Sequence, residues 1–266
     1  MQINRLPKII FFDIDDTLMP KETGIIPESA RQALIRLHQQ GIMTAIATGR
    51  SPAVLPAKIN RLMNETGIEI LIAINGQYIR RQKHTLASFP LDRVDIAAAI
   101  AQFRRHDTAY ALISDRQISI PYDSEYLKKA LASLNIPYQI GEFNHELPVY
   151  QMLAFYSESQ TAAIESGLPP TLRSIRWHEY GMDILASDGS KARGIRTVLN
   201  KLGLAMNDAM AFGDGLNDSE MLHAVGCGVA MGNAHPDLKE IADYICPPAI
   251  EDGIWHALHD LGVLAA

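Results

Sequence analysis

The chain has 266 residues, of which 47% are hydrophobic and 20% charged, and its formal net charge at pH 7 is −6. This composition is typical of a folded protein with one large or two ordinary domains, and it does not indicate a disordered chain. The negative charge argues against a nucleic-acid-binding protein, which needs a basic surface to neutralise phosphates. An anionic substrate must therefore be held by a few local positive groups.

Only two cysteines, Cys227 and Cys246, occur in the sequence, and their spacing does not suit a metal site. No secretory segment precedes them and no apolar run approaches membrane-spanning length. The sequence therefore predicts a cytoplasmic protein with reduced thiols and no membrane partner, and it leaves the oligomeric state open.

Short β-rich runs alternate with helical patterns in the first part of the chain, which is typical of a parallel sheet flanked by helices. The candidate strands there are "KIIFFD", "MTAIAT" and "ILIAIN". Between the first two, "PESARQALIRLHQQG" places Ala30, Leu34 and Leu37 at helical spacing, with Gly41 as a predicted C-cap. These segments predict a βαβ unit, and "INGQYI" predicts a strand ending in an Asn-Gly turn.

The pattern changes from about Arg81 to Ala186, where aromatic and β-branched runs surround two helical segments, "DRVDIAAAIAQFRRH" and "EYLKKALASL". The earlier pattern then resumes with "GSKARGIRTVLNKLG", "AMAFGD" and "NDSEMLHAVG". The sequence thus predicts an α/β protein with a Rossmann-like parallel-sheet core, residues 1–81 and 187–266, and an inserted α+β domain, residues 82–186.

Four of the predicted core strands end in polar side chains, namely Asp13, Thr48, Asn75 and Asp214. In open α/β sheets, ligands bind outside the carboxyl ends of the strands. Each residue alone could cap a helix or line a turn. Their coincidence, together with a lysine at position 191, indicates a functional site at this edge.

Four motifs follow one another along the chain: "DIDDTL", "ATGR", the lysine of "SDGSKARG", and "GDGLND". Together they resemble the motifs of the haloacid dehalogenase superfamily. The long segment before Lys191 resembles the type IIB cap of its Cof-like phosphatases. The resemblance implies magnesium-dependent hydrolysis of small-molecule phosphate monoesters, such as sugar phosphates or phosphorylated cofactors, through an aspartyl-phosphate intermediate.

The carboxylates of "DIDDTL" suit this chemistry. Transfer of a phosphoryl group to a carboxylate splits hydrolysis into two steps, so Asp13, at a strand end, is the predicted nucleophile. Residues two apart on an extended segment point to the same side, which makes Asp15 the predicted general acid and base. The resemblance implies that Asp15 also offers its backbone carbonyl to the metal. Asp16 stands where many members carry Gly, and a solvent-facing or turn-capping role is the favoured interpretation.

Two carboxylates facing a phosphate dianion would repel it, so the site needs a bridging cation. Magnesium prefers oxygen ligands, and Asp13 and Asp214 supply two of them. Asp218, one helical turn beyond Asp214, is predicted to orient a metal-bound water or the neighbouring lysine, and it can also stabilise the first turn of a helix.

Positive and N–H groups near the strand ends are candidates for binding phosphate. Lys191 lies near a predicted helix N-terminus, where a cation is disfavoured by about 0.3–1 kcal/mol unless an anion offsets it. A helix start after "ATG" can offer a hydroxyl and backbone N–H groups to phosphate oxygens. With the resemblance, the predicted phosphate-binding residues are Ile14, Thr48, Gly49, Lys191 and Asn217. A plain N-cap is the alternative for Asn217.

Two other functions stay open at this point, a phosphomutase and a non-catalytic protein that binds a phosphorylated metabolite. The predicted motifs address only the phosphoryl group, so selection of the leaving group is assigned to the inserted domain. Its candidate specificity residues are Asp115 and Arg116, at a predicted hairpin tip, and Arg176, His178 and Glu179.

Overall fold

The computed structural model of the protein describes residues 5–134 and 138–265. The chain divides into two compact units. The first comprises Met1–Gly49, Leu55–Ala87 and Ser190–Ala266, and the second comprises Arg50–Val54 and Ser88–Gly189. The predicted domain boundaries, at 81/82 and 186/187, stay a prediction.

Strands and helices alternate along most of the chain. The strands are β1 (Ile9–Phe12), β2 (Met43–Ala47), β3 (Ile70–Ala73), β4 (Tyr78–Arg81), β5 (His84–Ser88), β6 (Ala109–Ile113), β7 (Ile118–Ile120), β8 (Gln139–Ile140), β9 (Gln151–Phe155), β10 (Leu172–His178), β11 (Gly181–Ala186), β12 (Ala209–Gly213), β13 (Cys227–Ala230) and β14 (Tyr244–Ile245). The helices are α1 (Glu28–Gln39), α2 (Ala57–Thr66), α3 (Arg93–Arg105), α4 (Glu125–Leu134), α5 (Thr161–Glu165), α6 (Lys191–Leu202), α7 (Ser219–Ala224), α8 (Pro236–Ile241) and α9 (Gly253–Asp260).

The first unit is built on an eight-stranded sheet in the order β14-β13-β12-β1-β2-β3-β4-β5. The pairs from β14 to β3 are parallel, and β4 pairs with β3 in the antiparallel direction. This arrangement confirms the predicted α/β fold. Because β12, β1 and β2 run in the same direction side by side, the residues that follow them meet at one edge of the sheet.

The sequence of each core element explains its place in this unit. All four residues of β1 are buried, as expected for a continuous apolar strand in a sheet covered on both faces. Helix α6 begins after Ser190, whose Oγ accepts the N–H of Arg193 at 3.1 Å, and it ends at Gly203, which has a φ of +67°. These caps fix Lys191 as the first residue of α6.

The connection between β3 and β4 contains the predicted Asn-Gly turn and extends it by one further left-handed residue, Ile74. Strand β3 ends at Ala73, and Ile74, Asn75 and Gly76 all take left-handed φ values, of 51°, 49° and 87°. The turn is buried, because Ile74 is 0% and Asn75 is 1% exposed. Contacts with distant parts of the first unit, described below, hold it in this conformation.

The second unit is an α+β arrangement on a six-stranded sheet in the order β10-β11-β9-β6-β7-β8. Strands β10, β11, β9, β6 and β7 pair in the antiparallel direction. Phe103 of α3 and Ile164 of α5 belong to one apolar core with sheet residues such as Met152 and Ile184. Among the described residues, no helix combines the length and the apolar character that crossing a membrane requires.

Candidate active site

The candidate site lies at the carboxyl edge of the first unit's sheet. Asp13 follows β1, and its N–H donates to the carbonyl of Phe212 on β12 at 3.0 Å. Thr48 follows β2, and its N–H donates to the carbonyl of Ile72 on β3 at 2.8 Å. These backbone bonds extend the ladder by one residue beyond the strands, so both side chains begin at the sheet edge.

Lys191 joins two of the predicted carboxylates. Its Nζ lies 2.7 Å from Oδ1 of Asp13 and 2.6 Å from Oδ1 of Asp218, and its side chain is 0% exposed. Burial alone would lower the pKa of Lys191, whereas the carboxylates of Asp13 and Asp218 raise it above its usual value. Lys191 is therefore protonated, and the two anions offset the cost of a cation at the start of α6.

Asp218 connects this lysine to the loop that carries Asp214. Its Oδ1 accepts from Lys191, while its Oδ2 accepts the N–H groups of Asp214 and Gly215, each at 3.0 Å. A Cβ at Gly213 would lie 2.5 Å from Cγ of Asp218, so this close approach requires glycine there. Asp218 thus orients Lys191 and fixes the loop that carries Asp214. These contacts go beyond the predicted stabilisation of a first helical turn.

Three carboxylates form the acidic cluster of the site. One oxygen from each of Asp13, Asp214 and Asp218 lies within 4.8 Å of the others. Burial raises the pKa of Asp13 to about 7, against the opposing effect of Lys191. Burial and the neighbouring Asp13 raise the pKa of Asp214 to about 8. When ionised, the three carboxylates carry more negative charge than Lys191 neutralises, and their all-oxygen donor set suits a hard divalent cation.

Thr17 orients one member of this cluster. Its Oγ1 donates to Oδ1 of Asp214 at 2.8 Å, and Thr17 is 1% exposed. Lys191 donates to Oδ1 of Asp13, and Thr17 donates to Oδ1 of Asp214. The Oδ2 atoms of both carboxylates take no part in these two hydrogen bonds. Sequence reasoning assigned no role to Thr17, although it is the threonine of "DIDDTL" and the motif itself was the available signal.

Asp15 does not lie on an extended segment, contrary to the prediction that placed it on the same side as Asp13. Strand β1 ends at Phe12, and the N–H groups of Thr17 and Met19 both donate to the carbonyl of Ile14, at 3.4 and 2.8 Å. Asp15 forms an isolated bridge with Met19 inside this turn. The turn, rather than strand periodicity, sets the direction of its side chain.

Asp16 closes that turn. It has a φ of +60°, a conformation that Asp tolerates better than most residues. Its carboxylate accepts the N–H of Lys21 at 2.7 Å and pairs with Nζ of Lys21 at 2.8 Å, while its carbonyl accepts from Asn233 at 2.8 Å. The turn-capping interpretation of Asp16 agrees with these contacts. Sequence reasoning missed Lys21, which belongs to none of the quoted motifs.

The other predicted phosphate-binding residues surround the same edge. Thr48 is 1% exposed and Ile14 is fully buried, and because the side chain of Ile14 is apolar, its backbone N–H is the group suited to a phosphate oxygen. A Cβ on Gly49 would lie 3.4 Å from Nδ2 of Asn217. Asn217 donates to Oδ1 of Asn75 at 3.0 Å, and the N-cap of α7 is Asp218, which sets aside the N-cap alternative for Asn217.

Comparison with known proteins identifies the family. A model of the haloacid dehalogenase-like hydrolases matches residues 10–258. YkrA of Bacillus subtilis (strain 168) is 36% identical over 261 residues, which cover 97% of this chain and 98% of YkrA. The HMP-PP phosphatase of Cronobacter sakazakii is 30% identical over 239 residues, which cover 85% of this chain and 85% of that phosphatase. The structure of the HAD subclass IIB sugar phosphatase BT4131 superposes with a TM-score of 0.87 at 31% identity, covering 96% of this chain and 99% of BT4131. These matches confirm the resemblance of the four motifs: the chain belongs to the haloacid dehalogenase-like hydrolases and is one of their phosphatases.

Proposed function

We propose that this phosphatase hydrolyses small-molecule phosphate monoesters, such as sugar phosphates or phosphorylated cofactors, with Mg²⁺ and through an aspartyl phosphate. The observation that carries the proposal is the fully buried Lys191 held between Asp13 and Asp218, beside the carboxylate of Asp214. In such a cluster a carboxylate supplies the nucleophile, and the buried cation stabilises the charge of the phosphoryl group. The likeness to an HMP-PP phosphatase and to a sugar phosphatase supports this substrate class.

Binding of the phosphoryl group is assigned to five residues. The Lys191 ammonium and the Asn217 amide donate to its oxygens, as does the hydroxyl of Thr48. The backbone N–H groups of Ile14 and Gly49 complete the set. These donors address only the phosphoryl oxygens, so they do not select the leaving alcohol.

Asp13 begins the reaction by attacking phosphorus, and the bond from phosphorus to the leaving oxygen breaks. Since Lys191 occupies Oδ1 of Asp13, Oδ2 is the candidate attacking atom. Asp15 gives its proton to the leaving alcohol. The same carboxylate then takes a proton from water, whose oxygen attacks phosphorus, so that inorganic phosphate leaves and Asp13 is regenerated.

The residues that would hold Mg²⁺ are Asp13, Asp214 and the backbone carbonyl of Asp15. When bound, the ion supplies positive charge that screens the carboxylates from the phosphate and stabilises the transferring group. Asp218 has both oxygens engaged by Lys191 and by two backbone N–H groups, so its role is to hold Lys191 and the Asp214 loop.

Leaving-group selection is assigned to the second unit. Its candidate residues differ in how many contacts they make within that unit. The guanidinium of Arg176 donates to the carbonyl of Glu179 at 2.7 Å and to Oγ1 of Thr161 at 2.8 Å, and it pairs with Glu158 at 3.1 Å. These internal contacts make Arg176 a structural residue of this unit. Asp115 and Arg116 stay candidates, because the Arg116 side chain is 76% exposed.

The proposal is tested by phosphate release from p-nitrophenyl phosphate and from a panel of phosphorylated metabolites. We expect turnover with Mg²⁺, loss of turnover in EDTA, and poor restoration by Ca²⁺, whose larger and looser coordination shell misplaces nucleophile and phosphorus. Asp13→Asn should abolish turnover, and Asp237→Asn, at an exposed carboxylate on α8, is the matched control.

Three results would contradict the proposal. They are no phosphate release from any ester with Mg²⁺, full activity with Ca²⁺, and full activity of Asp13→Asn after contamination is excluded. Isomerisation of a sugar phosphate without release of phosphate would instead identify a phosphomutase.

A further inference from the structure

The left-handed turn Ile74–Gly76 is the most strained backbone segment near the site. Three successive residues have φ values of 51°, 49° and 87°, and two of them are not glycine. A β-branched residue such as Ile74 is a marked outlier in this region. Such strain persists only where the surrounding structure enforces it, and it is concentrated at functional sites.

Contacts with two other loops of the first unit enforce the turn. The N–H of Asn75 donates to the carbonyl of Thr48 at 3.1 Å. At Gly76, a Cβ would lie 2.0 Å from the carbonyl oxygen of Ser190, the residue that precedes Lys191. The turn therefore touches both the loop that ends β2 and the start of α6.

The side chain of Asn75 reaches a third loop. Its Oδ1 accepts a hydrogen bond from Nδ2 of Asn217 at 3.0 Å, across 142 positions of sequence. A Cβ on Gly49 would lie 3.2 Å from the same oxygen, so the paired amides lie directly against Gly49. An Asn that served only a hairpin turn would be exposed at the tip, whereas Asn75 is 1% exposed.

We propose that Asn75 is a positioning residue for phosphate binding. The left-handed turn holds its carboxamide against Asn217, which fixes the Asn217 amide so that its second N–H faces a phosphoryl oxygen beside Gly49. An extended residue at position 75 would carry the side chain elsewhere, which explains why the chain keeps a strained turn there. This inference rests on the proposed function, in which Asn217 and Gly49 bind the phosphoryl group.

The test replaces Asn75 with Gly, which keeps the left-handed backbone, relieves its strain and removes the amide. We expect a melting temperature that falls by no more than about 4 °C, because relief of the backbone strain offsets part of the lost hydrogen bond. The KM for p-nitrophenyl phosphate and the inhibition constant of inorganic phosphate should both increase about tenfold. The kcat should change by less than about twofold, because a contact to the phosphoryl group is made in ground and transition states alike. Gln82→Gly, at another left-handed residue with a φ of 53°, is the matched control.

A double-mutant cycle separates positioning from a general effect of the turn. If Asn75 acts through Asn217, Asn75→Gly should have little further effect on phosphate inhibition in an Asn217→Ala background. Asn75→Asp provides a second variant that tolerates the same backbone. It should also weaken phosphate inhibition, because its carboxylate keeps the contact to Asn217 but repels the anion.

Wild-type inhibition by phosphate in Asn75→Gly would overturn the inference, as would additive effects in the cycle. Either result would mean that Asn75 only forms the turn and does not position Asn217. Failure of the wild-type protein to hydrolyse any phosphate ester would instead contradict the proposed function, and this is measured before any variant is made.

Discussion

Replacing Lys191 with Met removes a buried cation while keeping a side chain of similar length. The Nζ of Lys191 lies 2.7 Å from one carboxylate and 2.6 Å from the other, and the side chain is 0% exposed. Removing one partner of a buried ion pair costs about 3–5 kcal/mol, because the remaining charge is desolvated without compensation. For a chain of this size, that loss corresponds to a decrease in melting temperature of about 6–20 °C.

The assay is thermal unfolding followed by circular dichroism in EDTA at pH 8, where both partner carboxylates are ionised in the unfolded chain. Lys201→Met changes an exposed lysine in the last turn of the same helix and serves as the control. Adding Asp13→Asn to Lys191→Met removes one of the uncompensated charges and should restore part of the stability. The loss should shrink at pH 5, because a buried carboxylate without its cation takes up a proton.

A loss of less than about 1 kcal/mol for Lys191→Met at pH 8 would refute this reasoning, because that is the range of exposed ion pairs. It would mean that water reaches Asp13 and Asp218 and that burial does not set the electrostatics of the site.

Two further predictions concern the metal and the turn after β1. Burial raises the pKa of Asp13 to about 7 and that of Asp214 to about 8. The metal-free fold therefore loses stability as the pH rises from about 4 to about 8, because both carboxyl groups lose protons that the folded state holds more tightly than the unfolded chain. Since Mg²⁺ binds the deprotonated carboxylates, it should raise the melting temperature more at pH 8 than at pH 6. Equal shifts at both pH values, measured by thermal unfolding, would argue against these residues as the metal site. Asp16→Gly keeps the left-handed backbone but releases Lys21, and kcat for p-nitrophenyl phosphate should fall about tenfold because Asp15 shares the turn. Asp252→Gly, at a φ of 59°, is the control, and equal activity of the two variants would leave Asp16 without a positioning role.

The parts of the fold that sequence reasoning found are those with strong local signals. The runs that form β1, β2 and β12 are buried apart from Met43 at the start of β2, and a polar residue follows each of them. The position of Lys191 near the start of α6 was also predicted from the sequence, because a lysine in a first helical turn requires an anion beside it. Parallel pairing then brings the strand ends together, so Asp13, Thr48 and Asp214 followed from these patterns, whereas Ile14, Gly49 and Asn217 followed from the family resemblance.

The parts that were missed depend on contacts between distant residues. An Asn-Gly pair predicts left-handed residues at 75 and 76, but not the left-handed Ile74 or the contacts of this turn with Ser190 and Asn217. Asp15 lies in a turn closed on the carbonyl of Ile14, which strand periodicity does not encode. Short edge strands such as β14, with two residues, carry too little pattern to be recognised.

The central claim is that Asp13 carries the phosphoryl group during turnover, and trapping that species tests it most directly. Asp15→Asn should slow hydrolysis of the phosphoenzyme but spare its formation from an aryl phosphate, whose leaving group needs little protonation. Rapid-quench intact-mass measurement with Mg²⁺ should therefore detect protein carrying one phosphoryl group in Asp15→Asn and none in the Asp13→Asn/Asp15→Asn double variant. Turnover that persists without any covalent species, or an adduct that survives the loss of Asp13, would contradict the account.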